Sequence, residues 1–340
     1  MRAPDFWSEE HGPLAGVVAG LLSPVGAVVD AAGRLRRALS RPYRAPVPVI
    51  CVGNLVAGGA GKTPVVLSLI ELLRHRGVAA HIVMRGYGGR LAGPVAVAPA
   101  SHTAAEVGDE ALLAAAAAPC WVARDRAAGV RAAVADGAPA VILDDGFQNP
   151  SVVKDVSLVV VDGVHGFGNG RLLPAGPLRE RIDNGLTRAD AVVVLGGEPA
   201  YRPRGLREFG RPLLHAELLA IGAERFAGRR VVAFAGIGRP EKFFATLRRV
   251  GARPIVERAF ADHHRFSAGE IAELHRTAER EDAVLVTTHK DWVRLGARER
   301  AGIEILCVRV CWRDEAALLA VLAPALRRCG AGVSHHPDGG

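Results

Sequence analysis

The sequence predicts an α/β protein of two parallel-sheet α/β/α units behind an N-terminal membrane-associated helix. Three observations carry this. Residues 47–64 read as strand, glycine-rich loop and helix, short β-branched runs alternate with helical patterns in both halves, and an apolar stretch of helical spacing opens the chain. The expected organisation is a helical and basic segment over 1–45, a P-loop unit over 46–220, a second α/β unit over 228–328 and a flexible tail over 329–340.

Composition sets the bounds. The chain has 340 residues, which suits two domains. Hydrophobic residues at 49% supply substantial cores, and 23% charged residues exclude a disordered chain. The net charge is +8, and four of the 43 basic residues are lysines (62, 154, 242, 290), the rest arginines. Such an excess suits phosphate or an anionic membrane, and equally an Arg-rich genome. No basic run is interleaved with stacking aromatics, so nucleic acid is not expected as a partner. Five scattered cysteines (51, 120, 307, 311, 329) have neither disulfide nor zinc spacing.

At the N-terminus, Leu14, Val17, Val18, Leu21, Leu22, Val25, Val28 and Val29 recur at helical spacing behind Phe6 and Trp7. Arg34, Arg36, Arg37, Arg41 and Arg44 follow. The stretch from Leu14 to Val29 is short for a span and contains Pro24, while Asp5, Glu9 and Glu10 spoil a signal-peptide start. An interfacial helix on an anionic bilayer fits the pattern, as does a first helix packed on the protein's own core.

The glycine-rich loop is the strongest signal. Val47, Val49, Ile50 and Val52 read as a buried parallel strand. Gly58, Gly59, Ala60 and Gly61 let backbone N–H groups cradle phosphate oxygens; Lys62 adds charge, and Thr63 offers a hydroxyl to Mg²⁺. Val65, Val66, Leu69, Leu72 and Leu73 make the apolar stripe of the next helix, whose N-terminus favours anions. Val56 stands where G-x-x-x-x-G-K-[ST] requires its first glycine, so the motif is a variant. A nucleoside triphosphate is the expected ligand.

Ala79–Met84 reads as a second strand, running into Arg85-Gly86-Tyr87-Gly88-Gly89. Asp109, after Val107-Gly108, is an N-cap of the following helix or a base facing the nucleotide. Ala140–Leu143 then Asp144-Asp145-Gly146 has the form of a Walker B strand, whose carboxylates hold Mg²⁺. Strands are expected at 156–162 and 191–195, with a Gly/Pro-rich functional loop over 166–180 between them. A composition shift at 203–211 and a loop at 222–228 mark the expected boundary. Beyond it the pattern predicts strands at 230–235, 254–257, 283–287 and 303–310 and helices from 241, over 268–281 and over 315–326.

These stretches together resemble one family, the tetraacyldisaccharide 4′-kinases of lipid A synthesis. The matching residues are Val52-Gly-Asn-Leu55, Gly58–Pro64, Arg85–Gly89, Gly108-Asp-Glu110, Asp144–Gln148, Leu173–Glu180, Asp262-His263 and Lys290-Asp291, in the family's order. The resemblance implies a peripheral or monotopic enzyme on the cytoplasmic face of the bacterial inner membrane, with no obligate protein partner evident. It would transfer the γ-phosphate of ATP, with Mg²⁺, to the 4′-hydroxyl of a lipid disaccharide, tetraacyldisaccharide 1-phosphate, giving lipid IVA. It implies Lys62 and Thr63 at the phosphates, Thr63, Asp144 and Asp145 at the metal, and Asp109 as base with His263 as its partner. Arg179 and Glu180 would line the cleft, Lys290 and Asp291 would serve the nucleotide, and Tyr87, Gln148 and Asn149 the disaccharide.

This sequence departs from the family pattern in Asn149 where histidine is usual, Ala60 where Ser or Thr precedes Gly-Lys, His289 within Thr-x-Lys-Asp, and Arg181 after Arg-Glu. None removes a residue the chemistry requires. Two other classes share the first half. A P-loop GTPase or metallochaperone would carry Asn-Lys-x-Asp or a Cys/His cluster, which this sequence lacks. A membrane-bound ATP sensor would bind nucleotide without phosphorylating lipid.

Overall fold

The computed structural model describes residues 4–7, 13–197, 203, 205–206 and 209–330. Glu9, Glu10 and the tail from 331 lie outside the described residues, as do the side chains of Asp5 and Leu14. In chain order the first half comprises α1 (Pro13–Ala38), β1 (Val49–Gly53), α2 (Lys62–His75), β2 (His81–Met84), β3 (Val95–Ala96), α3 (Ala104–Val107), α4 (Asp109–Ala115), β4 (Cys120–Val122), α5 (Arg126–Ala135), β5 (Val141–Asp144), β6 (Val156–Asp162), α6 (Ile182–Leu186) and β7 (Ala191–Leu195). There follow β8 (Leu213–Ile221), β9 (Arg230–Ala235), α7 (Pro240–Arg249), β10 (Arg253–Ala259), α8 (Ala268–Arg280), β11 (Val284–Thr288), α9 (His289–Trp292), β12 (Ile303–Trp312) and α10 (Glu315–Arg328).

The two predicted units are parts of one twelve-stranded sheet, ordered β10-β9-β11-β12-β8-β7-β6-β1-β5-β2-β4-β3. All pairings are parallel except β3 with β4 and β8 with β12. The β8–β12 pair therefore joins the parallel sections, matching Cys307 to Ile221 and Trp312 to Ala216. Strand β8 lay unrecognised near the expected boundary because apolar residues occupy both of its faces: Leu214 and Ala216 point into the core, while Leu219 and Ile221 on the opposite face are exposed.

Each section is covered on both faces, which is why β1, β5, β6 and β7 are continuous apolar runs without alternation. In the P-loop half, α2 and α4 cover one face with Leu69, Leu73 and Ala111. On the opposite face α5 packs Ala127 and Val130 beside Phe147 and Phe167. Helix α7 buries Phe243, Phe244 and Leu247 on one face of the second section, and α8 buries Ile271 and Leu274 on the other. The last helix, α10, crosses back to the P-loop half, where Leu318 and Leu322 join the core beside α2. Trp312 seals that crossing by donating Nε1–H to Ser68 Oγ at 2.6 Å.

The helix at the N-terminus is longer than its apolar spacing indicated. It continues through Pro24 to Ala38, because Ala31, Ala32, Gly33 and Leu35 extend the small and apolar run past Val29. An 18-residue window within Gly16–Ala38 has mean hydropathy 1.6, so the helix is by length and composition apolar enough to cross a membrane. Its two sides differ. Val17, Leu21, Val25, Val28 and Leu35 are exposed. On the inner side Gly26 approaches Leu172, Ser23 accepts from Arg171 at 2.9 Å, and buried Asp30 faces Arg34 and the Arg181 N–H.

Candidate active site

The phosphate-binding loop follows β1 at the C-terminal edge of the sheet, where an open α/β fold receives ligands. Gly61 caps α2 in the left-handed conformation, φ +82°, and a Cβ there would stand 2.3 Å from Leu195 Cδ2. Only glycine fits. The variant position is explained as well. Val56 forms an antiparallel bridge with Leu178, while Ala57 N donates to Pro177 O at 2.7 Å and Arg179 N to Leu55 O at 2.8 Å. Residues 55–57 thus serve as an edge for the loop that carries Arg179 and Glu180, and a glycine's freedom is not used there. Gly58 and Gly59 face open space and Ala60 is buried.

Lys62 and Thr63 open α2 toward the end of β5. Thr63 donates to Asp144 Oδ2 at 3.2 Å, and Lys62 Nζ lies 3.6 Å from Asp145 Oδ1. Asp144 is buried and its Oδ1 has no hydrogen-bond partner. Burial, reinforced by the charge of Glu110, pushes its pKa up to about 7. Asp145 takes a left-handed backbone, φ +53°, and pairs with Arg179 at 2.9 Å. Burial would raise its pKa, but Lys62 and Arg179 hold it below the usual carboxylate range.

Glu180 and Gln148 lie behind this row. Buried Glu180 takes hydrogen bonds from Arg188 and from Gln148 Nε2 (3.0 Å), with Arg37 of α1 at 3.5 Å. Gln148 also donates to Asn54 O at 2.8 Å, and Asn149 accepts from Ser151 N and Oγ. The amide nitrogen of Gln148 is therefore committed to the loop architecture, and so is the Asn149 carbonyl.

On the other flank Gly108, not Asp109, is the N-cap of α4. Asp109 is 4% exposed and reaches across to the second half. Its Oδ2 receives His263 Nδ1 at 3.0 Å and Arg294 Nε at 2.6 Å, with Arg294 Nη2 closer still, while Oδ1 accepts from Glu110 N at 2.9 Å. Burial alone would raise the Asp109 pKa. The hydrogen bond from His263 and the charges of Lys290 and Arg294 overcome it and hold the carboxyl well below its usual range. Lys290 Nζ bridges Glu110 Oε1 at 3.0 Å and His263 Nε2 at 3.4 Å. His263 thus presents Nδ1 to Asp109 and Nε2 to Lys290, with Asp262 Oδ2 at 3.8 Å from Nε2. The Tyr87 ring stands 5.4 Å from the His263 ring and is otherwise exposed.

The structure thus gathers Lys62, Thr63, Asp144, Asp145 and Arg179 in one row, and Asp109, His263, Tyr87 and Lys290 in a second. Glu110 links them through its charge on Asp144 and its bond to Lys290. Asp291 stands apart: fully buried, it accepts from Gly236 N, Thr288 Oγ1 and Arg294. The sequence reading gave no role to Glu110, Arg188 or Arg294. One local signal exists only in the backbone. Of three described non-glycine residues with positive φ, Asp145 and His263 both belong to the site.

A Gly-rich loop opening into Lys62 and Thr63 beside paired carboxylates, facing an Asp–His pair, has the form of a P-loop phosphotransferase site. A family model described as tetraacyldisaccharide-1-P 4′-kinase, LpxK, matches residues 18–327. The tetraacyldisaccharide 4′-kinase of Rhodospirillum centenum is 53% identical over 96% of this chain and 97% of its own length. That of Rhodospirillum rubrum is 51% identical over 95% and 97%. Among solved structures, LpxK of Aquifex aeolicus in complex with ATP is similar with a TM-score of 0.71 and 26% identity, over 91% of this chain and 99% of that one. The chain belongs to the tetraacyldisaccharide 4′-kinase family.

Proposed function

We propose that this chain moves the γ-phosphate of ATP to the 4′-hydroxyl of tetraacyldisaccharide 1-phosphate, giving lipid IVA. The observation that carries the mechanism is the Asp109–His263 contact at 3.0 Å, made between the P-loop half and the second half beside the phosphate loop. The loop N–H groups and Lys62 would bind the triphosphate, and Arg179, paired with Asp145, would meet charge growing on the transferred group. Asp109 orients the sugar hydroxyl and takes its proton, with His263 holding the carboxylate. Because the pair forms between halves, domain closure would complete the site and exclude water.

The residues fit Mg²⁺. Thr63 Oγ1 and the Asp144 and Asp145 carboxylates are hard oxygen donors, and the unpartnered, buried Oδ1 of Asp144 is suited to a cation or to one of its waters. Bound there with the nucleotide, Mg²⁺ would neutralise charge on the β- and γ-phosphates. Lys290 is proposed to act in the Asp109 cluster, and Asp291 to hold that cluster in place. Its burial among Thr288, Gly236 and Arg294 speaks against guanine reading. We also propose the domain division near 220–228, with α10 returning to the first unit.

Incubation with labelled ATP and tetraacyldisaccharide 1-phosphate should yield a bisphosphorylated lipid that depends on both. ATP consumed without label in the lipid would instead favour the sensor reading.

The exposed apolar side of α1 supports attachment to the cytoplasmic face of an anionic membrane. Arg34, Arg37 and Arg44 have internal carboxylate partners, while Arg36 and Arg41 form no ion pair among the described residues. Each free basic group contributes about 1 kcal/mol at an anionic surface. Sedimentation with anionic vesicles should therefore bring down the protein at low salt and weaken only in part at high salt, since the apolar side remains. Protein that stays in the supernatant at low salt would make α1 a packing helix alone.

A further inference from the structure

The group that touches Asp109 most closely is one no motif named. Arg294 follows α9 in the second half, and its side chain is 6% exposed. One guanidinium makes three attachments. Nε and Nη2 hold Asp109 Oδ2, and Nη1 donates to Gly236 O at 2.7 Å and to Asp291 Oδ1 at 2.7 Å. Asp291 is itself fixed by Gly236 N at 3.0 Å and Thr288 Oγ1 at 2.7 Å. The Asp109 carboxylate is in this way fastened to the backbone between β9 and α7 and to the end of β11. A planar, permanently charged fork can do this, whereas an ammonium reaches one such acceptor well.

The two oxygens of Asp109 are left unequal. Oδ2 carries His263 and both Arg294 contacts and has no lone pair to spare. Oδ1 carries a single backbone N–H, from Glu110. We propose that Arg294 is the positioning residue for Asp109: with His263 it saturates Oδ2 and fixes the carboxylate plane, leaving Oδ1 as the oxygen that meets the acceptor hydroxyl. This rests on the assignment of Asp109 to the hydroxyl made above. Arg294 itself touches neither substrate, and its effect passes through Asp109.

The alternative is that Arg294 only staples Asp291 and Gly236 together within the second half. The full chain carrying Arg294→Gln or Arg294→Lys, each with and without Asp109→Asn, separates the two. Folding is checked by thermal unfolding, and kcat and the KM for ATP are measured by lipid phosphorylation. If Arg294 acts through Asp109, either substitution lowers kcat by roughly 30- to 10³-fold with the KM for ATP changed less than about threefold. In the Asp109→Asn background the same substitution should then lower kcat by less than about threefold, because groups acting as a unit are not additive. Losses that multiply in the double variants overturn the positioning role, as does full kcat in Arg294→Lys. Should Arg294→Gln not fold, the lysine variant decides by the same comparison. Undiminished transfer by Asp109→Asn alone would instead remove the assignment of Asp109, whatever Arg294 does.

Discussion

Replacing Lys62 by alanine should lower kcat by roughly 10³-fold or more, the scale of a single cation on a transferred phosphoryl group, while the chain stays folded. Lys62 stands at the start of α2 with its side chain 11% exposed, 3.6 Å from Asp145. Removing it does not strand that carboxylate. Asp145 keeps Arg179 at 2.9 Å, and the loop retains its backbone bonds to Pro177 and from Arg179. The loss should therefore fall on catalysis and leave the melting temperature nearly unchanged. Lipid phosphorylation measured beside thermal unfolding checks both halves of the expectation. A folded Lys62→Ala enzyme with near-normal turnover would remove the loop from the chemistry.

The second large effect concerns Asp109 and His263. Asp109→Ala and His263→Ala should each lower kcat by about 10²–10⁴, the range of general acid–base catalysis. The double variant should be hardly worse than the poorer single one. The structure adds a reason for asymmetry. Without His263, Asp109 keeps Arg294 and the Glu110 N–H, so its position is partly preserved. Without Asp109, the second-half cations Arg294 and Lys290 lose their nearest shared anion and His263 loses the partner of its Nδ1. Asp109→Ala is thus expected to be the poorer enzyme. Kinetics of the two single variants and the double at saturating ATP decide it. Losses that multiply would mean that the two side chains work separately.

How far the site was legible depended on whether a residue acts through local sequence or across the fold. The phosphate loop could be read because strand, glycines, Lys-Thr and helix are contiguous, and each follows from chain stereochemistry. Asp144 and Asp145 were legible for the same reason, since they end an apolar strand. Gln148, read as a substrate contact, gives its amide nitrogen to Asn54 and Glu180, the latter a link over 32 residues that no spacing encodes. Arg294 was invisible, because one of many arginines acquires meaning only when the sheet brings it to Asp109, 185 residues away. The strands at the β4–β3 edge of the sheet were harder still. β3 has two residues and β4 three, too short for a period to register, whereas β6 and β7 each hold three consecutive valines within a longer buried run.

The inner side of α1 rests on the loop that ends in Arg179 and Glu180. Trp7 donates to Pro174 O at 3.1 Å, Gly26 abuts Leu172, Asp30 meets the Arg181 N–H, and Arg37 reaches Glu180. With its apolar side in a bilayer, as proposed above, the helix would act as a lever whose short arm lies against the loop that carries Arg179. A bilayer that changed its tilt would then bear on Glu180, and through Gln148 on the backbone of Asn54. On that reading lipid thickness and lateral pressure would become inputs to turnover, and solubilising the protein in detergent would alter its gearing as well as its access to substrate.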